Sequence, residues 1–231
     1  MISCQAHWTA VPVQERPQSH KNKICQETTM WIQQPPLSRR YDMDYQETDF
    51  LETATPDAIN QIALARRLTQ EYNHSDYRDF EKRRAILRDL FAHIGERVAI
   101  DTPFYCDYGK NIWIGDDVII NINCTFVDNK PIHIGSRVLI ASNVQIYTSS
   151  HPVLPLERLT ANWREKNATF FRTYAKPVTI QDQVWIGGGS ILLPGVTIGE
   201  NSVIGAGSVV TRSIPKNCVA VGNPCRVIRT F

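Results

Sequence analysis

Along the second half of the chain, aliphatic side chains recur at every sixth position. Ile114, Ile120 and Phe126 form one run, Ile134, Ile140 and Ile146 a second, and Ile180, Ile186, Leu192, Ile198, Ile204 and Val210 a third. An α-helix repeats every 3.6 residues and a strand every 2, so neither keeps this beat. Four residues after these anchors stand small or β-branched side chains: Val118, Cys124, Val138, Val144, Val184, Ser190, Val196, Ser202 and Ser208. One bulky and one small inward residue per six implies short strands separated by tight bends. Glycine directly follows several anchors (Gly115, Gly135, Gly187, Gly199, Gly205), which suits a backbone that must turn without a Cβ penalty. Hexapeptide periodicity is the mark of a parallel β-helix. Three hexads per coil predict a triangular prism in which residue 198 stacks on 180 and 204 on 186.

The beat breaks twice. Eight residues separate Phe126 from Ile134, and thirty-four separate Ile146 from Ile180. A solenoid extrudes such insertions as loops, and loops carried on a rigid wall are where chemistry is usually placed. The domain of residues 100–231 is thus expected to be β-helix, with an extruded loop over 147–179.

Before the wall, residues 46–99 carry a helical pattern. Thr55, Pro56 and Asp57 supply an N-cap, a first-turn proline and an early acid, and Ile59, Ile62, Ala65 and Leu68 recur on one face. A second helix is expected from Ser75 and Asp76 to Gly95, with Phe80, Leu87, Leu90, Phe91 and Ile94 inward and the run EKRR solvated. Residues 1–45, rich in Gln, Pro, Ser and Thr without either period, read as a disordered or loosely attached extension. Their scattered bases leave an organelle-targeting role open.

Composition narrows the function classes. The 25 basic and 23 acidic residues leave a net charge of +2, so no global field points to nucleic acid or an acidic membrane. No apolar run has the length of a membrane span, and a cytoplasmic protein is expected. The six cysteines include no C-x-x-C pair, which argues against a zinc ribbon and a disulfide framework.

The ordered segments FYCDYGKNIWIG, NINCTFVD, TSSHP, VWIGGG, PGVTIG, GAGSVVT and GNPCRVI resemble the maltose, galactoside and nodulation-factor O-acetyltransferases of the hexapeptide family. The resemblance spans roughly residues 57–231 and implies a left-handed prism, the hand not being given by periodicity. It implies an enzyme that moves an acetyl group from acetyl-CoA directly to a hydroxyl of a small, sugar-like acceptor, without a metal. It also implies a homotrimer with sites at subunit interfaces.

Residue by residue, the resemblance makes His151 the general base, a role suited to an imidazole that titrates near working pH. No G-x-S-x-G elbow offers an acyl-enzyme serine. Asn121 matches an asparagine that contacts the acceptor, and because it follows an anchor a turn-forming role stays open. Asp107 and Asn129 fall on acceptor-contact positions, Asn129 replacing an acid of galactoside acetyltransferases. For the donor, Gly188 and Ala206 match positions near the acetyl and pantetheine part. Trp185 either walls the groove or packs, and Thr211, Arg212, Arg226 and Arg229 match positions near the nucleotide end, where guanidinium suits phosphate. His7, His20, His74, His93 and His133 read as ordinary histidines.

Two departures stand out. Thr53 and Ile62 occupy positions where the family usually places an acid and an arginine that grip sugar hydroxyls. The loop after His151 also carries Trp163, Phe170, Phe171 and Tyr174, which suits a more apolar acceptor, either a hydroxyl or an amine of a secondary metabolite or xenobiotic. A non-catalytic β-helix scaffold and a zinc lyase remain as further alternatives, the latter lacking an H-x-x-x-x-H pair.

Overall fold

The computed structural model describes residues 45–231 apart from residues 54 and 167, so the expected extension lies, but for its last residue, outside the described residues. Short parallel strands wind into a three-faced column. The first face stacks His93–Ile94, Ile112–Ile114, Ile132–Ile134, Val178–Ile180 and Thr197–Ile198. The second stacks Ala99–Ile100, Ile119–Ile120, Leu139–Ile140, Trp185–Ile186, Val203–Ile204 and Cys218–Val221, closed by the antiparallel strand Arg226–Thr230. The third stacks Phe104–Cys106, Cys124–Val127, Gln145–Tyr147, Ile191–Leu192 and Val209–Val210.

The register is that of the six-residue anchors: Ile180 pairs with Ile198 and Ile186 with Ile204. Every anchor from Ile114 to Val210 is buried, and Val118, Cys124, Val144, Ser190, Ser202 and Ser208 between them are fully enclosed. The inward serines are satisfied by carbonyls: Ser190 Oγ donates to Gly187 O at 2.7 Å and Ser202 Oγ to Pro215 O at 2.8 Å. A small residue here keeps the corner narrow, and its hydroxyl meets the backbone that the bend leaves exposed to the core.

The anchor glycines serve a different purpose from the one expected. Gly115, Gly135, Gly187, Gly199 and Gly205 do not take positive φ; the left-handed residues come two positions later, at Asp117, Arg137, Gly189, Asn201 and Gly207. What excludes a side chain at the anchor glycines is the next coil. A Cβ on Gly135 would lie 2.3 Å from Asp182 Oδ1, and one on Gly187 would lie 2.5 Å from Ala206 N.

The wall begins a coil earlier than its periodicity suggests. Ile94 pairs with Ile114, Ile100 with Ile120 and Cys106 with Phe126. Ile94 is therefore a strand residue and not the end of a helix, and a cysteine fills the third anchor.

Two helices precede this coil. In α1, Pro56–Asn73, Thr55 caps by accepting from Ala58 N at 3.2 Å, and Ala65, Leu68 and Tyr72 are buried. Ile59, expected on the buried face, is exposed on the first turn. In α2, Phe80–Leu90, Asp79 is the N-cap; Ile86, Leu87 and Leu90 are buried, while Phe80 is exposed. The expected solvated run EKRR contains a buried arginine. Arg83 donates to the Tyr72 hydroxyl at 2.7 Å, Ile100 O at 2.9 Å and Ser75 Oγ at 3.0 Å, and lies over the Tyr72 ring. It ties both helices to the first coil.

Candidate active site

His151 stands just outside the wall on the extruded segment. The segment leaves the third face through Ser149–Ser150, which pairs antiparallel with Thr173–Ala175. Between them the loop folds on itself: a short helix covers Pro155–Arg158, Leu159 bridges Phe171, and Arg172 N donates to Arg158 O at 2.7 Å. The ring of His151 is exposed. Its Nδ1 is 2.8 Å from the carbonyl oxygen of Arg172, and Phe171 meets it edge-on at 5.1 Å. A carbonyl only accepts, so Nδ1 carries a proton, and in the neutral ring Nε2 is then the nitrogen with the lone pair. This is the tautomer a general base needs.

Asp107 and Asn129 lie on the edge that follows the third face, at the root of this loop. Ser149 Oγ donates to Asn129 Oδ1 at 2.5 Å, two residues before His151. Arg66 of α1 donates to Asp107 Oδ1 at 2.8 Å. Burial raises the Asp107 carboxyl above the usual range, and Arg66 opposes the shift. Beneath them Asp128 accepts from the backbone N–H groups of Asp107 and Tyr108, each at 2.9 Å, and is itself fully buried.

Asn121 lies elsewhere. It follows the second-face strand Ile119–Ile120, and the strand Cys124–Val127 separates it from Asn129. The left-handed turn residue there is Asn123, whose amide donates to Asn143 Oδ1, so the turn does not consume the Asn121 side chain.

The donor residues also divide. Gly188 and Ala206 sit on the same edge as Asn121, one coil apart, with Gly207 N donating to Gly188 O at 2.9 Å. Trp185 projects from the second face beside them, 52 % exposed. Arg226 and Arg229 are exposed on the closing strand of that face. Thr211 and Arg212 follow the third face, on the edge that carries His151 further down. One chain therefore presents two separated sets: Asn121, Trp185, Gly188 and Ala206 at one edge, and Asp107, Asn129 and His151 at the other. An open groove of about 540 Å³ lies on the first face instead, where Trp113 stacks on His133. Neither set lines it.

No pattern in the sequence marks the segment that packs against the loop. Phe50–Leu51 adds a third strand beside Thr173–Ala175, Arg172 bonds Glu47 and lies over the Phe50 ring, and Tyr45 stacks on Tyr174. The two-residue strand has no period to reveal it, and its partners are more than a hundred positions away.

Wall, loop and capping helices together define a hexapeptide transferase. The family model "Bacterial transferase hexapeptide (six repeats)" matches residues 177–212, and "Maltose acetyltransferase hexapeptide capping motif" matches residues 51–95. Galactoside O-acetyltransferase of Escherichia coli is 46 % identical over 162 residues, 70 % of this chain and 75 % of that protein. The crystal structure of a maltose O-acetyltransferase from Clostridium difficile 630 is 42 % identical with a TM-score of 0.72, over 79 % of this chain and 92 % of that one. A hexapeptide-repeat acetyltransferase from Vibrio cholerae, solved in complex with acetyl coenzyme A, is 37 % identical with a TM-score of 0.70, over 78 % and 92 % of the two chains. The chain belongs to the hexapeptide-repeat acetyltransferases of the maltose and galactoside type. Among the described residues no helix is long and apolar enough to cross a membrane, and no three His, Cys, Asp or Glu side chains are grouped as metal ligands.

Proposed function

We propose that the protein transfers the acetyl group of acetyl-CoA to a hydroxyl of a small, sugar-like acceptor, with His151 as the general base. The observation that carries this is the His151 ring, fixed by the Arg172 carbonyl with Nε2 directed away from that bond. Nε2 takes the hydroxyl proton as the oxygen attacks the thioester carbonyl. The tetrahedral oxyanion then collapses, and the imidazolium returns the proton to the departing CoA thiolate. In this reading the backbone amide of Gly188 donates to that oxyanion, which lowers the barrier more than it stabilises the ground state. Asn121 orients the hydroxyl, and Asp107 and Asn129 hold further acceptor groups. Trp185 and Ala206 flank the pantetheine arm, and Thr211, Arg212, Arg226 and Arg229 meet the nucleotide phosphates.

This assignment needs more than one chain, because the two sets of residues lie on opposite edges of the third face. A homotrimer, in which the edge bearing Gly188 faces the His151 loop of a neighbour, brings them together. In-register stacking of Ile119, Leu139 and Trp185 on the second face, each 43–52 % exposed, supports such an interface. The described cysteines Cys106, Cys124, Cys218 and Cys225 are free and buried, which suits the reducing cytoplasm where acetyl-CoA is available.

A second reading of the acceptor rests on the loop. Leu154, Leu156, Leu159 and Phe170 are exposed on the loop that carries His151, while Thr53 and Ile62 replace polar grips and Arg66 is engaged with Asp107. These features suit an apolar alcohol or amine. Thiol release from acetyl-CoA, measured over maltose, methyl galactoside and aromatic alcohols and amines, separates the two readings. His151→Ala is expected to lower turnover of whichever acceptor works by about two orders of magnitude while leaving acetyl-CoA binding intact. Unchanged turnover refutes the base assignment.

A further inference from the structure

The carbonyl that fixes His151 belongs to a residue held on three sides. Arg172 N donates to Arg158 O at 2.7 Å inside the loop. Its guanidinium leaves the loop altogether: Nη2 donates to Glu47 Oε1 at 2.6 Å, and Cζ lies 3.6 Å from the centre of the Phe50 ring. Immediately after it, Thr173 and Tyr174 pair antiparallel with Leu51 and Phe50. Thr173 Oγ1 also approaches His151 Nδ1, at 3.4 Å.

We propose that residues 45–51 form a strap that positions the catalytic imidazole, acting through Arg172: Phe50 and Glu47 clamp the guanidinium, and the clamped residue presents its carbonyl to His151 Nδ1. The inference rests on His151 being the base. Magnitudes decide which contact dominates. The Glu47 carboxylate is 82 % exposed, so the ion pair by itself contributes little. The Phe50 ring contributes more, because it lies face-on to the guanidinium at close range and packs edge-on to Tyr174, 6.2 Å between centres. Tyr45 extends the same cluster by stacking on Tyr174 at 4.6 Å and donating its hydroxyl to the Glu157 carboxylate on the loop helix. The strap therefore touches both limbs of the loop that carries His151, at Glu157 and at Arg172 to Tyr174.

The chemistry follows from the tautomer. In water an imidazole exchanges its proton between both nitrogens, and a fixed acceptor at Nδ1 selects the form with a free Nε2. Release of the strap lets the strand at Arg172 move and removes that selection. Phe50 and Glu47 are positioning residues, with no contact to the reacting atoms.

The test uses the full chain with acetyl-CoA and the best acceptor of the panel above, and it reads the His151 tautomer by nitrogen-correlated NMR, which needs no acceptor. Phe50→Ala is expected to lower kcat between about ten- and a hundredfold, with KM for acetyl-CoA unchanged, and to shift His151 toward the Nε2–H form. Phe50→Tyr, which keeps the ring, should restore both. Arg172→Met keeps the backbone carbonyl and loses the clamp, so it decides the matter if Phe50→Ala does not fold, and it should show the same tautomer shift. Wild-type tautomer and kcat in a folded Phe50→Ala or Arg172→Met protein overturn the strap. Failure of the base assignment is distinct: it appears as an active His151→Ala enzyme, whatever the tautomer readout gives.

Discussion

Asp128 concentrates the residue-scale physics of the acceptor edge. Its carboxylate is fully buried, one oxygen receives two backbone N–H groups, and Oδ2 has no partner. Burial outweighs those hydrogen bonds and raises the carboxyl from its ordinary 3.8 to about 6. The folded chain thus holds this proton more tightly than the unfolded one. The resulting stabilisation is fully present below pH about 3.8 and is lost as pH rises through about 6. Relative to Asp128→Asn, the wild-type protein should gain about 1 kcal/mol of unfolding free energy between pH 7.5 and pH 5, read by urea denaturation at both values. An equal difference at both pH values contradicts the assignment. The sequence offers Asp128 only as the neighbour of Asn129. Its burial depends on Asp107 and Tyr108, some twenty positions earlier and one coil away, which no local pattern reports.

At the scale of elements, two kinds of glycine obey different constraints. Gly135 has ordinary φ but no room, since a Cβ would meet Asp182 Oδ1 at 2.3 Å and Asp182 N at 2.8 Å. Gly207 has room but φ of +70°, and nothing lies within 4 Å of its missing Cβ. Asn123 and Asn143 occupy the same corner in lower coils with φ of 61° and 62°. Gly135→Ala should therefore cost about 1–3 kcal/mol through displaced backbone, and Gly207→Asn less than about 1 kcal/mol. Shifts in the urea midpoint rank the two, and the reverse order would remove the distinction. The anchors were legible because each coil repeats the same demand for bulk at one register position. The first coil was not, because Cys106 supplies too weak an apolar signal and Ile94 also fits the helical period of α2. The burial of Arg83 was hidden for a related reason: a charged run on a helix looks solvated until its partners, Tyr72 and Ile100 O, are brought to it.

For the whole molecule, the second face presents Ile119, Leu139 and Trp185 in one exposed apolar ladder, while the proposed catalytic residues stay divided between two edges. Burying that ladder and joining those edges are one event if the chain is a trimer. Leu139→Glu places a charge in the ladder without touching a buried anchor. It should convert a trimer into monomers by analytical ultracentrifugation, retain the β-rich circular dichroism signal and lose acetyl transfer. A wild-type protein that sediments as a monomer, or an active monomeric variant, rejects the shared site.

By itself the sequence determined the wall, because a solenoid is held by contacts between adjacent coils, and the spacing of large and small side chains writes those contacts locally. It also determined the placement of His151 on an extruded loop and, through ordered motifs, the resemblance to a family of acetyltransferases. Only the tertiary structure decided what holds that histidine. Glu47 and Arg172 are 125 positions apart, and the strand Phe50–Leu51 is too short to carry a period. Such a contact costs chain entropy that neither end of the sequence records, and only the surface that the wall and the loop together present offsets it.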